Sequence, residues 1–320
     1  METDKFNSEL VKRFVNDEKL PIQVIKYVPY FEYMLDLFES THKTRTKWEN
    51  WQRVIRERFD NDPEAYLNSF YKMRDNIITT MKANEDYIRF NNCDMNQYRV
   101  TDIPQVGSGA VYKVSNSGKY YLSIDLKKAN YQALHYAGVI KENSYDEWIR
   151  TFTDLDHLAE SKYLRVVVFG QLNPGRHITL EKYITANIFK SVNDIIAGKV
   201  VSIANDEVIW EMDGGFVTKE KQDNLRSFIK EKLGFDVTVE SFRLQCLKLV
   251  QETEFGLSKS LEFYRKDMEE CESTYHCIPN TYYPIILKLL SHTEEIPYDR
   301  WFEHDGMLSQ FIGSFKLEEI

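Results

Sequence analysis

The sequence predicts an α+β protein, with an antiparallel sheet of the split βαβ type, helices on one face, and a preceding N-terminal helical domain. Two observations support this prediction. Apolar residues recur at helical spacing from Leu10 to about Ile88. Further along, the elements follow the order strand, helices, strand, strand, helix, strand, with two strand-like runs around the polar tip Asn205-Asp206-Glu207.

The first part of the chain, residues 1–100, is predicted to form the helical domain. Asp62 can cap free backbone N–H groups and Pro63 suits the first helical position, so a helix should begin there. We interpret the aromatic residues of this region as core packing rather than as a surface that stacks bases. A turn-rich stretch from Asp102 to Gly118 then marks a domain boundary near residue 100.

Residues 101–255 are predicted to form the α+β core. Its expected elements are a strand over 120–125, helices over 128–139, from 145, and over about 179–196, the strand pair 199–204 and 208–212, a helix over 219–233, and a strand from 236. The aromatic and acidic residues 256–320 are expected to form a mainly helical cap. In this topology the first strand can lie beside the strand pair, so Asp125 and Asp206 could meet.

Composition excludes several classes of protein. The 320 residues hold 41 Lys and Arg against 50 Asp and Glu, a net charge of -9, which argues against a protein that coats nucleic acid through general basicity. The apolar runs are too short to cross a bilayer, and the cysteines lack zinc-site spacing. We therefore expect a reduced intracellular, cytoplasmic protein with no membrane partner, from a cellular or a viral source in a host cell.

Two aspartates at the ends of adjacent strands would form a site of hard oxygen ligands. Mg²⁺ takes one or two protein carboxylates and keeps its other positions for water and substrate phosphates. Two such ions can activate a 3′-hydroxyl and stabilise a pyrophosphate leaving group. Asp125 and Asp206 thus fit phosphoryl transfer, with Mn²⁺ as an alternative ion, although isolated aspartates near turns are also common solvated features.

The flanking residues resemble the palm of family A DNA polymerases, the DNA polymerase I family. The segment from Ile203 to Glu211 is similar to the family's motif C, with Asn205 where the family has His. The segment from Tyr121 to Gln132 is similar to motif A, in which a metal-binding Asp closes a strand. The match covers roughly residues 100–245, and the N-terminal helices would parallel the thumb by position.

The resemblance implies roles for particular residues. Asp125 and Asp206 would be metal ligands, the Leu126 carbonyl a further ligand, and Glu207 an acidic support. Leu126, Asn130 and Gln132 would help to bind the nucleotide. Asn130 and Gln132 stand where motif A has Glu and Arg, so sugar discrimination and contacts with the fingers differ from the family pattern. The partners implied are a primer or primer–template and nucleoside triphosphates.

The family's fingers pattern of Arg and Lys on one helix has no clear counterpart in the chain. The nearest basic helix offers Arg176 and Lys182 for phosphate binding, although an ordinary solvated helix would look the same. Residues 140–198 would form a reduced fingers segment. Two alternatives stay open: an inactive polymerase-like module that binds nucleic acid or a protein partner, and a metal-dependent nuclease built on the same acidic pair.

Overall fold

The computed structural model describes residues 8–21, 27–107, 111–253, 258–270, 272–304 and 307–320. Within these ranges the protein has an α+β fold, as predicted, built around a seven-stranded sheet whose paired strands are all antiparallel. The predicted boundary at residues 255 and 256 lies outside the described residues.

Helices dominate the first half of the chain and strands the second. The helices are α1 (Ser8–Asp17), α2 (Val28–Leu37), α3 (Glu39–His42), α4 (Thr44–Arg58), α5 (Pro63–Ala83), α6 (Glu85–Asn92), α7 (Ala129–Tyr136), α8 (Tyr145–Arg150), α9 (Asp156–Glu160), α10 (Lys162–Gly170), α11 (Pro174–Val192), α12 (Lys219–Leu233) and α13 (Tyr283–Ser291). The strands are β1 (Tyr120–Leu126), β2 (Lys199–Ile203), β3 (Glu207–Met212), β4 (Val237–Glu252), β5 (Ser258–Met268), β6 (Ser273–His276), β7 (Trp301–His304), β8 (Met307–Gln310) and β9 (Ser314–Glu319).

Local signals in the sequence locate several of these elements correctly. The Asp62 carboxylate accepts hydrogen bonds from the backbone N–H groups of Glu64 (2.9 Å) and Ala65 (3.2 Å), so α5 begins at Pro63 as predicted. Helix α12 spans the predicted residues and ends at Gly234, whose φ of +82° fits the left-handed cap that glycine accepts.

The sheet has the strand order β2-β3-β1-β4-β5-β6. Strand β1 therefore lies between the second strand of the β2–β3 hairpin and the long strand β4. Its register pairs Asp125 with Glu207 on one side and with Thr238 on the other. Beyond the end of β1, the same edge of β4 pairs with β9, so the C-terminal strand extends the sheet.

One face of the sheet carries the main hydrophobic core. Leu122, Ile124 and Leu126 of β1 are buried there among residues of α7, α11 and α12. Because side chains alternate across a strand, Tyr121 and Asp125 lie on the opposite face, where Tyr121 packs in a smaller cluster with Phe242. The predicted strands 120–125, 199–204 and 208–212 are thus confirmed to within a residue or two.

A second core joins the N-terminal helices to the C-terminal part of the chain. It is built mainly from α1, α2 and α4, and Tyr283 and Trp301 pack against it. The Tyr30 hydroxyl donates to the Trp301 carbonyl (2.6 Å), and the Tyr33 hydroxyl donates to the buried Asp299 carboxylate. Helix α5 contributes to both cores, since its early residues lie in this one and its later residues in the main core.

The expectation of a mainly helical cap over 256–320 is wrong. Helix α13 is the one α-helix among the described residues of this region, whose other regular elements are strands β5 to β9 and two short 3-10 helices. Residues of β5 alternate between the two faces of the sheet, with Phe263 in the cluster under α13 and Tyr264 in the cluster with Phe242. The aromatic residues of this region are compatible with helices or strands, and the pairing of β5 with β4 is what makes β5 a strand.

None of the helices among the described residues combines the length and the apolar character that a membrane crossing requires.

Candidate active site

The structure brings Asp125 and Asp206 together at one end of the central strands. The backbone N–H of Leu126 donates to the Asp206 carbonyl at 2.7 Å, which fixes the hairpin tip against the end of β1. Asp125 and Glu207 are paired across β1 and β3, and their side chains lie on the face opposite the main core. The meeting of Asp125 and Asp206 expected from the topology is therefore observed.

Neighbouring side chains hold this tip in place. From α11, the Thr185 hydroxyl donates to the Asn205 carbonyl at 2.9 Å. On the sheet, the buried Ser123 hydroxyl donates to the Glu207 carboxylate at 2.6 Å. Glu207 is thus oriented by its own neighbour in the sheet, which suits the supporting role that the sequence suggested for it.

The carboxylates of the tip perturb one another electrostatically. Burial raises the pKa of Asp125 from 3.8 to about 7, and the nearby charges of Asp206 and Glu207 add to the rise. A further carboxylate, Glu240, lies close enough to contribute in the same direction. This group of like charges is unfavourable by itself, and a bound cation would relieve the repulsion.

A buried glutamate from α11 joins the site, and sequence reasoning missed it. Glu181 is 4% exposed, accepts a hydrogen bond from the Asn130 amide at 2.9 Å, and lies near Asp206. Burial, followed by the charge of Asp206, raises the pKa of Glu181 to about 7. Glu181 lies on a helix outside both motifs, so nothing in the sequence indicated that it belongs to the site. The hydrogen bond to Glu181 also gives the Asn130 side chain a structural role.

A group of neighbouring basic residues extends from the carboxylates, and Lys162 is its member near Asp125. Lys162, at the start of α10, lies near enough to Asp125 to lower that group's pKa in part. Burial, and then the charges of Lys162 and Arg165, lower the pKa of Lys19 to about 8. Burial and Arg165 likewise lower the pKa of Lys128. Within the described part of the chain, none of these cations forms a salt bridge, so we name Lys19, Lys128, Lys162 and Arg165 the basic cluster.

A buried contact between α1 and α10 explains how Lys19 reaches Lys162. Arg13 pairs with the buried Asp17 carboxylate, which also accepts a hydrogen bond from the Ser161 hydroxyl at 3.1 Å. The same Ser161 oxygen caps α10 by accepting from the Leu164 N–H at 3.0 Å. The end of α1 is therefore fixed against the start of α10, a long-range contact with no signature in the sequence.

Gln132 has a structural role rather than the predicted role in nucleotide binding. It is 6% exposed, its amide N–H groups donate to the carbonyls of Lys127 and Asp236, and its amide oxygen accepts from the Asp236 N–H at 2.9 Å. These three hydrogen bonds tie the end of β1 to the start of β4 and give the polar atoms of the buried side chain the partners that they need.

Arg176 likewise serves the fold rather than a nucleotide. Its Nη2 atom donates to the Phe90 carbonyl at 2.7 Å and to the Cys93 carbonyl, so it anchors the start of α11 to the end of α6. Lys182 is exposed on α11, next to Glu181 in sequence, and its part in phosphate binding stays a prediction. A basic helix in the sequence cannot by itself separate these two roles.

The residues present fit a hard divalent cation. Among the described residues, no three His, Cys, Asp or Glu side chains form a group that could hold a metal ion. Mg²⁺, however, commonly uses only one or two protein carboxylates and completes its shell with water and phosphate oxygens. Asp125 and Asp206 supply that number, and their mutual repulsion favours a positive charge between them.

Comparison with known proteins adds no relative: no family model, curated protein or solved structure matches this chain.

Proposed function

We propose that this protein is a metal-dependent nucleotidyltransferase that resembles a minimal family A DNA polymerase and adds nucleotides to a nucleic-acid 3′ end. The observation that carries the proposal is the meeting of Asp125 and Asp206 at the same end of adjacent strands, with Lys162 near Asp125. In this proposal the sheet is a palm of the split βαβ type, the N-terminal helices form a thumb-like domain, and residues 140–198 form reduced fingers.

The carboxylates of Asp125 and Asp206, with the Leu126 carbonyl, would hold two Mg²⁺ ions, or Mn²⁺ in their place. When bound, these ions would lower the pKa of the 3′-hydroxyl and neutralise the departing pyrophosphate. In the proposed reaction the 3′-oxygen would bond to the α-phosphorus, the bond from that phosphorus to pyrophosphate would break, and the hydroxyl proton would pass to water. Glu207 supports the acidic group from the position that Ser123 fixes.

Three residues of the basic cluster, Lys128, Lys162 and Arg165, supply the charge that a triphosphate needs. A nucleoside triphosphate is strongly anionic, and cations without carboxylate partners keep their charge available for phosphate oxygens. Lys162 and Arg165 are one turn apart on α10, Lys162 lies near Asp125, and Lys128 comes two residues after the end of β1. We assign phosphate binding to these residues in place of Arg176.

An inactive polymerase-like module is the main alternative, because it would keep the fold without the chemistry. The raised pKa values of Asp125 and Glu181 favour a metal site, since a scaffold gains nothing from keeping carboxylates together in repulsion. A metal-dependent nuclease would use the same acidic pair, and the direction of change in substrate length separates it from a polymerase.

The test is a gel assay of labelled primer and primer–template with dNTPs or NTPs and Mg²⁺ or Mn²⁺. We expect metal-dependent extension by the wild-type protein and its loss in Asp125→Asn and Asp206→Asn. The matched control is Asp194→Asn, an exposed aspartate just after α11, which should extend as the wild type does.

Other outcomes assign other functions. Metal-dependent shortening that both aspartate variants lose would identify a nuclease. No change in primer length by a folded protein, with either metal and either primer form, would leave the non-catalytic module as the function.

A further inference from the structure

An open cavity of about 760 Å³ lies where α1, α10 and the segment before α13 meet. Its volume is within the roughly 300–1,000 Å³ typical of ligand sites. The lining includes rings, amides and a cation: Tyr163, Tyr283, His42, Asn16, Asn280 and Lys19. None of these residues belongs to the carboxylate site.

The lining offers the contacts that a nucleotide unit uses. Aromatic rings provide faces on which a base can stack, and amide side chains can both donate to and accept from base edges. The Tyr163 ring is held by the Arg13 guanidinium 4.2 Å from its centre, and Arg13 is itself fixed by Asp17. The ring is therefore set in place before any ligand arrives, which lowers the entropic cost of stacking.

Basic side chains lie between the cavity and the proposed active site. Lys19 lines the cavity and also belongs to the basic cluster, where it neighbours Lys162 and Arg165. Lys162 in turn lies near Asp125. Basic side chains thus extend from the neighbourhood of Asp125 to the cavity. Among the described residues that line the cavity, Glu303 is the single carboxylate.

We propose that this cavity binds an unpaired stretch of nucleic-acid strand, with a base among the rings and a phosphate on Lys19. Bases within a duplex are stacked and paired, so only an unpaired strand can present a base to the rings. The proposal rests on the proposed function for the link to a 3′ end, but strand binding itself requires no metal and no chemistry.

Binding is measured by fluorescence anisotropy in EDTA, with a labelled oligothymidylate of about 12 nucleotides. For single strands, each lost phosphate contact lowers the salt slope by about 0.7, which corresponds to about fivefold weaker binding at 0.1 M salt. We expect this loss for Lys19→Gln, and restored affinity for Lys19→Arg, which keeps the charge. Lys12→Gln, at an exposed lysine of α1, the helix that precedes Lys19 in the chain, is the matched control and should bind as the wild type does.

A second variant tests the cavity rather than charge alone. Tyr163→Leu should weaken oligonucleotide binding at least about fivefold, because a stacked base contributes strongly to single-strand affinity. Tyr71→Leu, at an exposed tyrosine on α5, is its control. Urea unfolding of each variant verifies that the fold is kept.

Several results would overturn the proposal. Equal losses in Lys19→Gln and Lys12→Gln, or unchanged binding in a folded Tyr163→Leu protein, would show that the cavity is not used. Equal sensitivity to Lys19→Gln with a blunt duplex would exclude an unpaired strand, and a loss seen only with free ATP would assign the cavity to a mononucleotide. Because binding is measured in EDTA, a protein that binds the oligonucleotide through Lys19 and Tyr163 but does not extend a primer would keep this proposal and contradict the proposed function alone.

Discussion

Neutralising Asp125 should stabilise the metal-free protein at high pH while abolishing its response to Mg²⁺. Burial and the neighbouring charges of Asp206 and Glu207 raise the pKa of Asp125 from 3.8 to about 7. Between these pH values the folded protein binds a proton that the unfolded chain does not, so the free energy of unfolding falls as pH rises. Above about pH 7 the full penalty is present.

The size of the penalty follows from the change in pKa. At 1.4 kcal/mol per pH unit, a rise from 3.8 to about 7 corresponds to at most ~4 kcal/mol. Asp125 is half-buried, and solvent screening reduces the expected effect to about 1–2 kcal/mol. Asp125→Asn should therefore be more stable than the wild type by about that amount at pH 8 and by little at pH 4.

The assay is urea unfolding in EDTA at pH 4 and pH 8, repeated at pH 8 with Mg²⁺. An ion that binds only the folded state stabilises it by about 1.4 kcal/mol at ten times its Kd. The wild type should show this gain and Asp125→Asn should not, while Asp194→Asn should behave as the wild type in every condition.

Two results would refute the reasoning. If Asp125→Asn were less stable than the wild type at pH 8 in EDTA, Asp125 would not be under electrostatic strain. If Mg²⁺ stabilised Asp125→Asn as much as the wild type, the ion would bind elsewhere.

Three further predictions concern the contacts that position the site. Gln132→Ala should lower the free energy of unfolding by about 2–3 kcal/mol, because buried backbone groups lose their hydrogen-bond partners. The control, Gln171→Ala at an exposed glutamine, should leave that free energy unchanged, and equal values for the two variants would contradict the structural role of Gln132. Arg13→Ala should lower the free energy of unfolding by about 3–5 kcal/mol, because it leaves the buried Asp17 carboxylate without its cation. A decrease of less than about 1 kcal/mol would mean that Asp17 is not charged in the folded protein. Gly313→Ala should destabilise the protein by about 1–3 kcal/mol, because the φ of Gly313 is +86° and an added Cβ would clash with the Glu252 carbonyl oxygen. An unchanged free energy of unfolding would show that β9 can shift to make room.

Local chemistry in the sequence determined much of the fold. The Asp62 cap, the polar tip between β2 and β3, and the glycine that ends α12 are each set by residues within a few positions, so their elements were predicted closely. The strand and helix order also placed β1 beside the hairpin, and with it Asp125 beside Asp206. The C-terminal strands were missed because aromatic residues fit either structure until a partner strand is known.

Only the tertiary structure decided which polar groups surround Asp125 and Asp206. Glu181, Lys162 and Arg165 come from helices distant in sequence from Asp125. The approach of Lys19 to Lys162 depends on contacts such as Arg13 with Asp17, which no local pattern encodes. The same holds for Gln132 and Arg176, whose residue types suit either a ligand or the backbone until burial assigns them to the backbone. Sequence thus determined the two carboxylates, because strand order aligns strand ends, whereas long-range packing decided the electrostatic environment in which they lie.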